Sequence, residues 1–282
     1  MSGFTEVAER VWVARYEWCD VNVSVIEGGA GLLIVDTNAS TRAAREVVAD
    51  VRRLSPRPVV GLVNTHDHFD HVFGNHALLE EYGAVPVTAH ESTAATTVPH
   101  GEQVKRESAR QGDPRAAELG ETLLVAADHT FSSVTAIDLG DRSVELVHPG
   151  RGHTAGDLVV RIEDADVLLA GDLVEESGTP AYGDDCFPME WPTSLDLLLQ
   201  LVGPSTVVVP GHGTPVDRDF VQEQRASIGV VAETIRDLAG RGVPVDQALD
   251  AAPWPYPTER LADAVRRAYD QLPRTAKRLP LI

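Results

Sequence analysis

The sequence predicts an α/β fold in which two sheets pack face to face with helices outside. Two observations lead there. Short Val- and Ile-rich runs alternate with helical patterns through both halves of the chain, and the second half repeats the scheme of the first without any short-period repeat. A third bears on function: four of these apolar runs end in segments rich in His, Asp and Gly.

The elements follow in order. Residues 11–16, 22–26 and 32–35 read as strands separated by turns such as Gly28-Gly29-Ala30-Gly31. Residues 37–40 offer capping side chains. A helix over 42–54 follows, with Ala43, Val47, Val48, Val51 and Leu54 at helical spacing, and Ser55-Pro56-Arg57-Pro58 stops it. A strand over 59–64, a short helix over 74–82 and a strand over 85–88 come next. Residues 91–120 are polar, weakly helical and interrupted by Pro99, Gly101, Gly112 and Pro114; an active-site rim and a plain surface excursion are both open. Strands are expected near 134–138, 144–147, 158–162, 167–170 and 207–209, with a helix over 194–202. After His212 the pattern turns helical, over 217–239 and 258–272, around the turn-rich Ala252-Pro253-Trp254-Pro255-Tyr256-Pro257. This divides the chain into residues 1–215 and a helical appendage, 216–282, docked on the core.

The densest chemistry is His66-Asp67-His68-Phe69-Asp70-His71, directly after the run 59–63, in a chain with ten histidines. Three later runs end alike, in Gly150-Arg151-Gly152-His153-Thr154, in Gly171-Asp172 and in Gly211-His212-Gly213. Glycine allows close backbone approach, and strand ends hold a ligand rigidly. The candidate metal ligands are His66, His68, Asp70, His71, His153, Asp172 and His212, five imidazoles and two carboxylates. That donor set suits a borderline divalent ion and is too large for one tetrahedral zinc. It suits two metals about 3.5–4 Å apart with a bridging carboxylate.

His-x-His-x-Asp-His, Gly-His-Thr, Gly-Asp and Gly-His-Gly, in this order and spacing, resemble the metallo-β-lactamase-fold superfamily over roughly residues 10–215. The resemblance implies a four-layer αβ/βα sandwich with the metals at one edge between the sheets. It implies His66, His68 and His153 on a first metal, Asp70, His71 and His212 on a second, and Asp172 bridging. Two Zn²⁺ are expected, with iron and manganese as alternatives. A bridging hydroxide would attack a polarised carbonyl, with Asp70 and Asp172 as catalytic carboxylates and Asp70 passing a proton to the leaving group. His76, His90, His100, His129 and His148 lack the strand-end setting and read as ordinary histidines. Asp67 is either a partner to an imidazole or a solvated loop carboxylate. Thr154 and Asp157 are expected to fix their loop, and Cys186 to be an inert thiol.

Composition narrows the function. Net charge is −19 with pI near 4.8, which disfavours a nucleic-acid partner. No apolar stretch is long enough for a membrane span. No signal peptide is evident, and Cys19 and Cys186 make no disulfide framework, so a cytoplasmic protein is expected. Homo-oligomerisation is left open. Val174-Glu175-Glu176 stands where the β-lactam branch commonly has a cation for a substrate carboxylate. The lactone branch has a tyrosine in that turn, and Tyr182 is too far along to carry over. Glyoxalase II needs basic residues that are not identified in 217–282. A flavodiiron protein would carry Glu at His68. The expected activity is therefore hydrolysis of an ester, lactone or thioester of a small molecule. The alternatives are a one-iron persulfide dioxygenase, a β-lactamase and a non-catalytic metal scaffold. Glu175, Glu176, Asp184 and Asp185 would disfavour anionic substrates if they flank the cleft, with Phe187, Pro188, Met189 and Trp191 as the binding surface; a solvated acidic loop is the other reading.

Overall fold

The computed structural model describes residues 3–272; Met1, Ser2 and the last ten residues of the expected appendage lie outside. The first half holds β1 (Thr5–Ala8), β2 (Val11–Tyr16), β3 (Val21–Gly28), β4 (Gly31–Val35), α1 (Thr41–Leu54), β5 (Val59–Val63), α2 (Phe69–Val72), α3 (Asn75–Tyr82), β6 (Val87–His90), α4 (Glu91–Gln111), α5 (Ala116–Glu121) and β7 (His129–Phe131). The second holds β8 (Val134–Asp138), β9 (Ser143–Val147), β10 (Val159–Ile162), β11 (Val167–Glu175), α6 (Trp191–Gln200), β12 (Val207–His212), α7 (Arg218–Gly240) and α8 (Ala262–Gln271).

Strand alternation builds the layers. In β4, Leu33 and Val35 face a cluster that also takes Val160 and Ile162 of β10 and Leu169 of β11. This is the core between the two sheets. The alternate residues Leu32 and Ile34 pack instead with Val47 and Val51 of α1 and Leu78 of α3. On the far side, Leu168 and Ala170 of β11 pack with Leu195 of α6, Ile228 and Val231 of α7 and Val265 of α8. The order is helix, sheet, sheet, helix, the expected four-layer sandwich.

Hydrogen bonding joins all twelve strands, ten along one path from β7 to β8 and β1 and β2 as a branch from β3. Between β3 and β12, however, it rests on a single residue pair, Val21 with His212. The two wings meet at that seam, and the edge beside it carries the site.

The principal difference from the sequence reading is α4. The interrupted segment forms a 21-residue helix that runs through Pro99. Its buried stripe is Thr93, Thr97, Gly101 and Ser108, four small or polar residues at helical spacing that register no hydrophobic period. Thr96 and Thr97 turn their hydroxyls onto the carbonyls of Ser92 and Thr93, each at 2.7 Å. Gly101 is required by close approach, since a Cβ there would meet Leu124 at 2.8 Å and Phe73 at 3.0 Å. Strands β1 and β7, absent from the sequence reading, are short and largely exposed. Strand β11 runs on past Ala170 to Glu175, carrying Asp172 within the strand after a register irregularity between Leu169 and Gly171.

Candidate metal centre

Each candidate side chain leaves the scaffold at the seam edge. His66 follows β5, and His68 is the N-cap residue of α2, which carries Asp70 and His71. His153 lies in the loop between β9 and β10, Asp172 in β11, and His212 at the end of β12. Folding brings all seven together. His66, His68, His153 and Asp172 form one group, and Asp70, His71 and His212 another, with ligand atoms within 4.8 Å inside each group. Asp172 reaches both: Oδ2 lies 3.4 Å from His153 Nε2 and 3.1 Å from His212 Nε2, and Oδ1 lies 3.2 Å from His71 Nε2. This closeness depends on Gly211, where a Cβ would meet Asp172 Oδ1 at 1.8 Å.

The donor atoms fit cations. Nδ1 of His71 bonds Asp36 Oδ2, that of His153 the Ala181 carbonyl and that of His212 the Cys19 carbonyl, each at 2.8 Å. These acceptors assign the ring protons to Nδ1 and leave lone pairs on Nε2. His68 is turned the other way: Nε2 lies 3.1 Å from Asp185 Oδ2, and Nδ1 faces His153 Nε2 at 2.7 Å. His71 Nε2 and His212 Nε2 face each other at 3.4 Å. Lone pairs aimed at one another repel unless a cation lies between them. Two ligands at about 2.0 Å from a tetrahedral ion stand roughly 3.3 Å apart, which is the scale of these separations. His66 Nε2 and Asp172 Oδ1 are buried without a hydrogen-bond partner among the described residues, a state that costs free energy until a ligand completes it.

Burial opposes ionisation of Asp172, but His212, His71 and His66 outweigh it and hold its carboxyl well below the usual range. Asp185 is likewise held low against its burial by His68, His153 and His100.

Several supporting residues escaped the sequence reading. Asp36, at φ 62°, accepts from Thr65 N, Thr65 Oγ1 and His71 Nδ1 at 2.8 Å each. Its place after the apolar run 32–35 is the same strand-end signature that marked the other candidates. Cys19, at φ 63° in a left-handed turn, presents its carbonyl to His212, and the Arg15–Asp20 pair braces the turn. His100 bonds Asp67 at 3.1 Å and sets its ring 5.3 Å from that of His68. Asp67 is therefore a buried partner of His100 rather than a solvated carboxylate. Thr154 donates its N–H and hydroxyl to Asp157, fixing the loop as expected. Cys186 is fully buried, and burial pushes its thiol up.

The site opens into a cleft of about 550 Å³ lined by Phe69, Asp70, His100, Val104, Asp172 and Glu175, among others. Helix α4 thus forms part of the rim. The expected apolar surface is not there. Trp191 is fully buried in the core, Met189 borders a different depression beside α7, and Phe187 lies between the guanidinium groups of Arg151 and Arg267. Pro188 is buried. Of the four acidic residues Glu175 alone lines the cleft; Asp185 engages His68, Asp184 borders a neighbouring groove, and Glu176 accepts from Thr214 N.

A sequence profile of the metallo-beta-lactamase superfamily matches residues 16–212. The chain belongs to the metallo-beta-lactamase superfamily. Within it, a metallo-beta-lactamase type 2 of Bacillus cereus is 30% identical over 202 residues, covering 71% of this chain and 70% of that protein. A linear primary-alkylsulfatase of Pseudomonas sp. (strain ATCC 19151) is 26% identical over 268 residues, covering 82% of this chain; the chain spans about half, 49%, of that protein. Among solved structures, a metallo-beta-lactamase from Pontibacter korlensis superposes with a TM-score of 0.63 at 23% identity, covering 80% of this chain and 98% of that one. The stereoselective inverting sec-alkylsulfatase Pisa1 from Pseudomonas sp. superposes at 0.76 with 19% identity, over 96% of this chain and 50% of that one. These superpositions show a shared superfamily fold.

Asp36 offers a test that leaves every candidate ligand in place. In Asp36→Asn the amide nitrogen cannot accept from His71, so the imidazole must turn its proton toward the cluster or lose its anchor. Metal affinity, read by chelator competition, should fall about 10–100-fold. Unchanged affinity would show that His71 needs no anchor.

Proposed function

We propose that this superfamily member is a hydrolase that holds two metal ions, zinc foremost, in the seven-residue cluster and cleaves an ester, lactone or thioester of a small molecule. The observation that carries this reading is Asp172, one buried carboxylate within 3.1–3.4 Å of imidazoles from both groups. Bound there, the metals would supply a water of lowered pKa and Lewis acidity toward a substrate oxygen.

The chain's own residues do the rest. The Nδ1 bonds of His71, His153 and His212 hold the rings at fixed orientations, so no reorganisation is required when charge develops. Asp70 lines the cleft, where its carboxylate can take a proton and pass it to the leaving group. Phe69 and Val104 supply apolar wall and keep water from the reacting bond. A second reading, hydrolysis of a sulfate ester, is supported by the linear primary-alkylsulfatase, 26% identical over 82% of this chain.

Elemental analysis of protein purified without chelator should approach about two equivalents of metal per chain. Activity should appear in a panel of carboxylic esters, lactones, thioesters, β-lactams and alkyl sulfates. A constant single equivalent of iron would overturn the two-metal reading in favour of a one-iron oxygenase. Two bound metals without hydrolysis of any member would overturn the substrate class.

A further inference from the structure

The cleft has one lining residue that its acidic surroundings do not explain. Arg260, from the turn between α7 and α8, borders the same space as Asp70, Asp172 and Glu175. The turn is well anchored: Arg260 N donates to the Pro257 carbonyl at 3.0 Å, and the next residue, Leu261, is fully buried in the core behind the second sheet. The other cationic side chains of this region are engaged. Arg241 pairs with Asp237 and Arg266 with Asp263, while Arg267 donates to the Cys186 carbonyl. The Arg260 guanidinium makes no ion pair and donates no hydrogen bond among the described residues.

Arg260 is exposed, and Arg42, Arg45, Arg106 and Arg110 are likewise exposed without an ion pair or side-chain hydrogen bond among the described residues. Of these five, Arg260 alone lines the cleft, where the carboxylates are already engaged. Asp172 is taken up by imidazoles on both sides, and Asp70 lies within 3.7 Å of His71 and 3.5 Å of His212. Glu175 is buried and accepts both the N–H and the hydroxyl of Ser177 at 2.8 Å. The guanidinium therefore has its planar fork of donors free at the rim of a cleft whose floor is the candidate metal centre.

We infer that Arg260 is a specificity-determining residue that binds an anionic oxygen group, carboxylate or sulfate, at the end of the substrate remote from the bond that is cleaved. The substrate is then a small molecule with an apolar body against Phe69 and Val104, a hydrolysable bond at the cluster, and an anionic end at Arg260. This rests on the hydrolase reading for the word substrate, but the binding site itself does not. It also reverses the charge preference that the sequence alone suggests.

The test is calorimetry on the metal-loaded protein with linear dicarboxylates from malonate to adipate, each beside its monocarboxylate of equal length. One carboxylate can engage the cluster in every probe; only the dicarboxylate can also reach Arg260. At least one dicarboxylate should bind about tenfold tighter than its partner, the scale of a hydrogen-bonded charge. The advantage should vanish in Arg260→Ala, persist in part in Arg260→Lys, and shrink as salt is raised. Matched ω-sulfate probes identify which oxyanion the fork prefers, and either preference carries the inference. A dicarboxylate advantage that survives in Arg260→Ala, or no advantage at any length, overturns it. In turnover, the ratio of kcat/KM for an ester with a terminal carboxylate over its methyl-capped counterpart should fall toward one in Arg260→Ala. Absence of turnover with the calorimetric difference intact would overturn the hydrolase reading and leave the anion site standing.

Discussion

Replacing Asp172 by alanine should remove at least one metal and lower kcat/KM on the order of a thousandfold or more, because several kcal/mol of charge stabilisation is lost together with the nucleophile. The side chain is 6% exposed and touches imidazoles from both ligand groups. Its loss would leave His66, His71, His153 and His212 facing one another without the anion that balances a cation pair. Asp172→Asn separates shape from charge: it preserves the volume beside Gly211, and should still lose metal. Metal analysis and kinetics are read on the same preparation. Turnover within tenfold of wild type at full metal content would take Asp172 out of the reaction.

The second large effect lies in the core that supports the site. Trp191→Ala should cost about 3–5 kcal/mol of folding stability, measured by urea unfolding. Trp191 is fully buried, packs against the rings of Tyr182 and His153 at 5.1 and 5.8 Å, and donates its indole N–H to the Leu173 carbonyl. Truncation opens a void beneath the loop that carries His153 and leaves that carbonyl with Gln224 Nε2 as its one side-chain donor. Metal affinity should fall with stability, since His153 loses its backing. A loss below about 1 kcal/mol would show that the helix collapses into the space.

The candidate ligands were legible because each follows an apolar run, so one local signature announces both the strand and the group it delivers. Helix α4 was hidden by its own buried stripe: Thr93, Thr97, Gly101 and Ser108 pack by being small, which leaves no hydrophobic period to read. Asp36, Asp185, His100 and Arg260 stand alone in the sequence. They acquire their roles only from distant elements, as when Asp185 meets His68 across 117 residues. Trp191 was misplaced for a related reason. An aromatic after an acidic loop reads the same whether it faces a cleft or a core, and only the packing of α6 on β11 turns it inward.

The seam between the wings has a thermodynamic consequence. One backbone pair, Val21 with His212, joins β3 to β12, and the candidate ligands come from both sides of it: His66, His68, Asp70 and His71 from one half, His153, Asp172 and His212 from the other. An ion held in either group would be a cross-link that exists only when the halves are docked, because each group draws on both halves, so its binding free energy would also be docking free energy. At a free concentration a hundred times its dissociation constant, a ligand specific to the folded state adds about 2.7 kcal/mol, a sizeable part of an ordinary domain's stability. Metal supply would then set the stability of the folded chain as well as any reactivity, the two wings acting as a clasp whose pin is the ion.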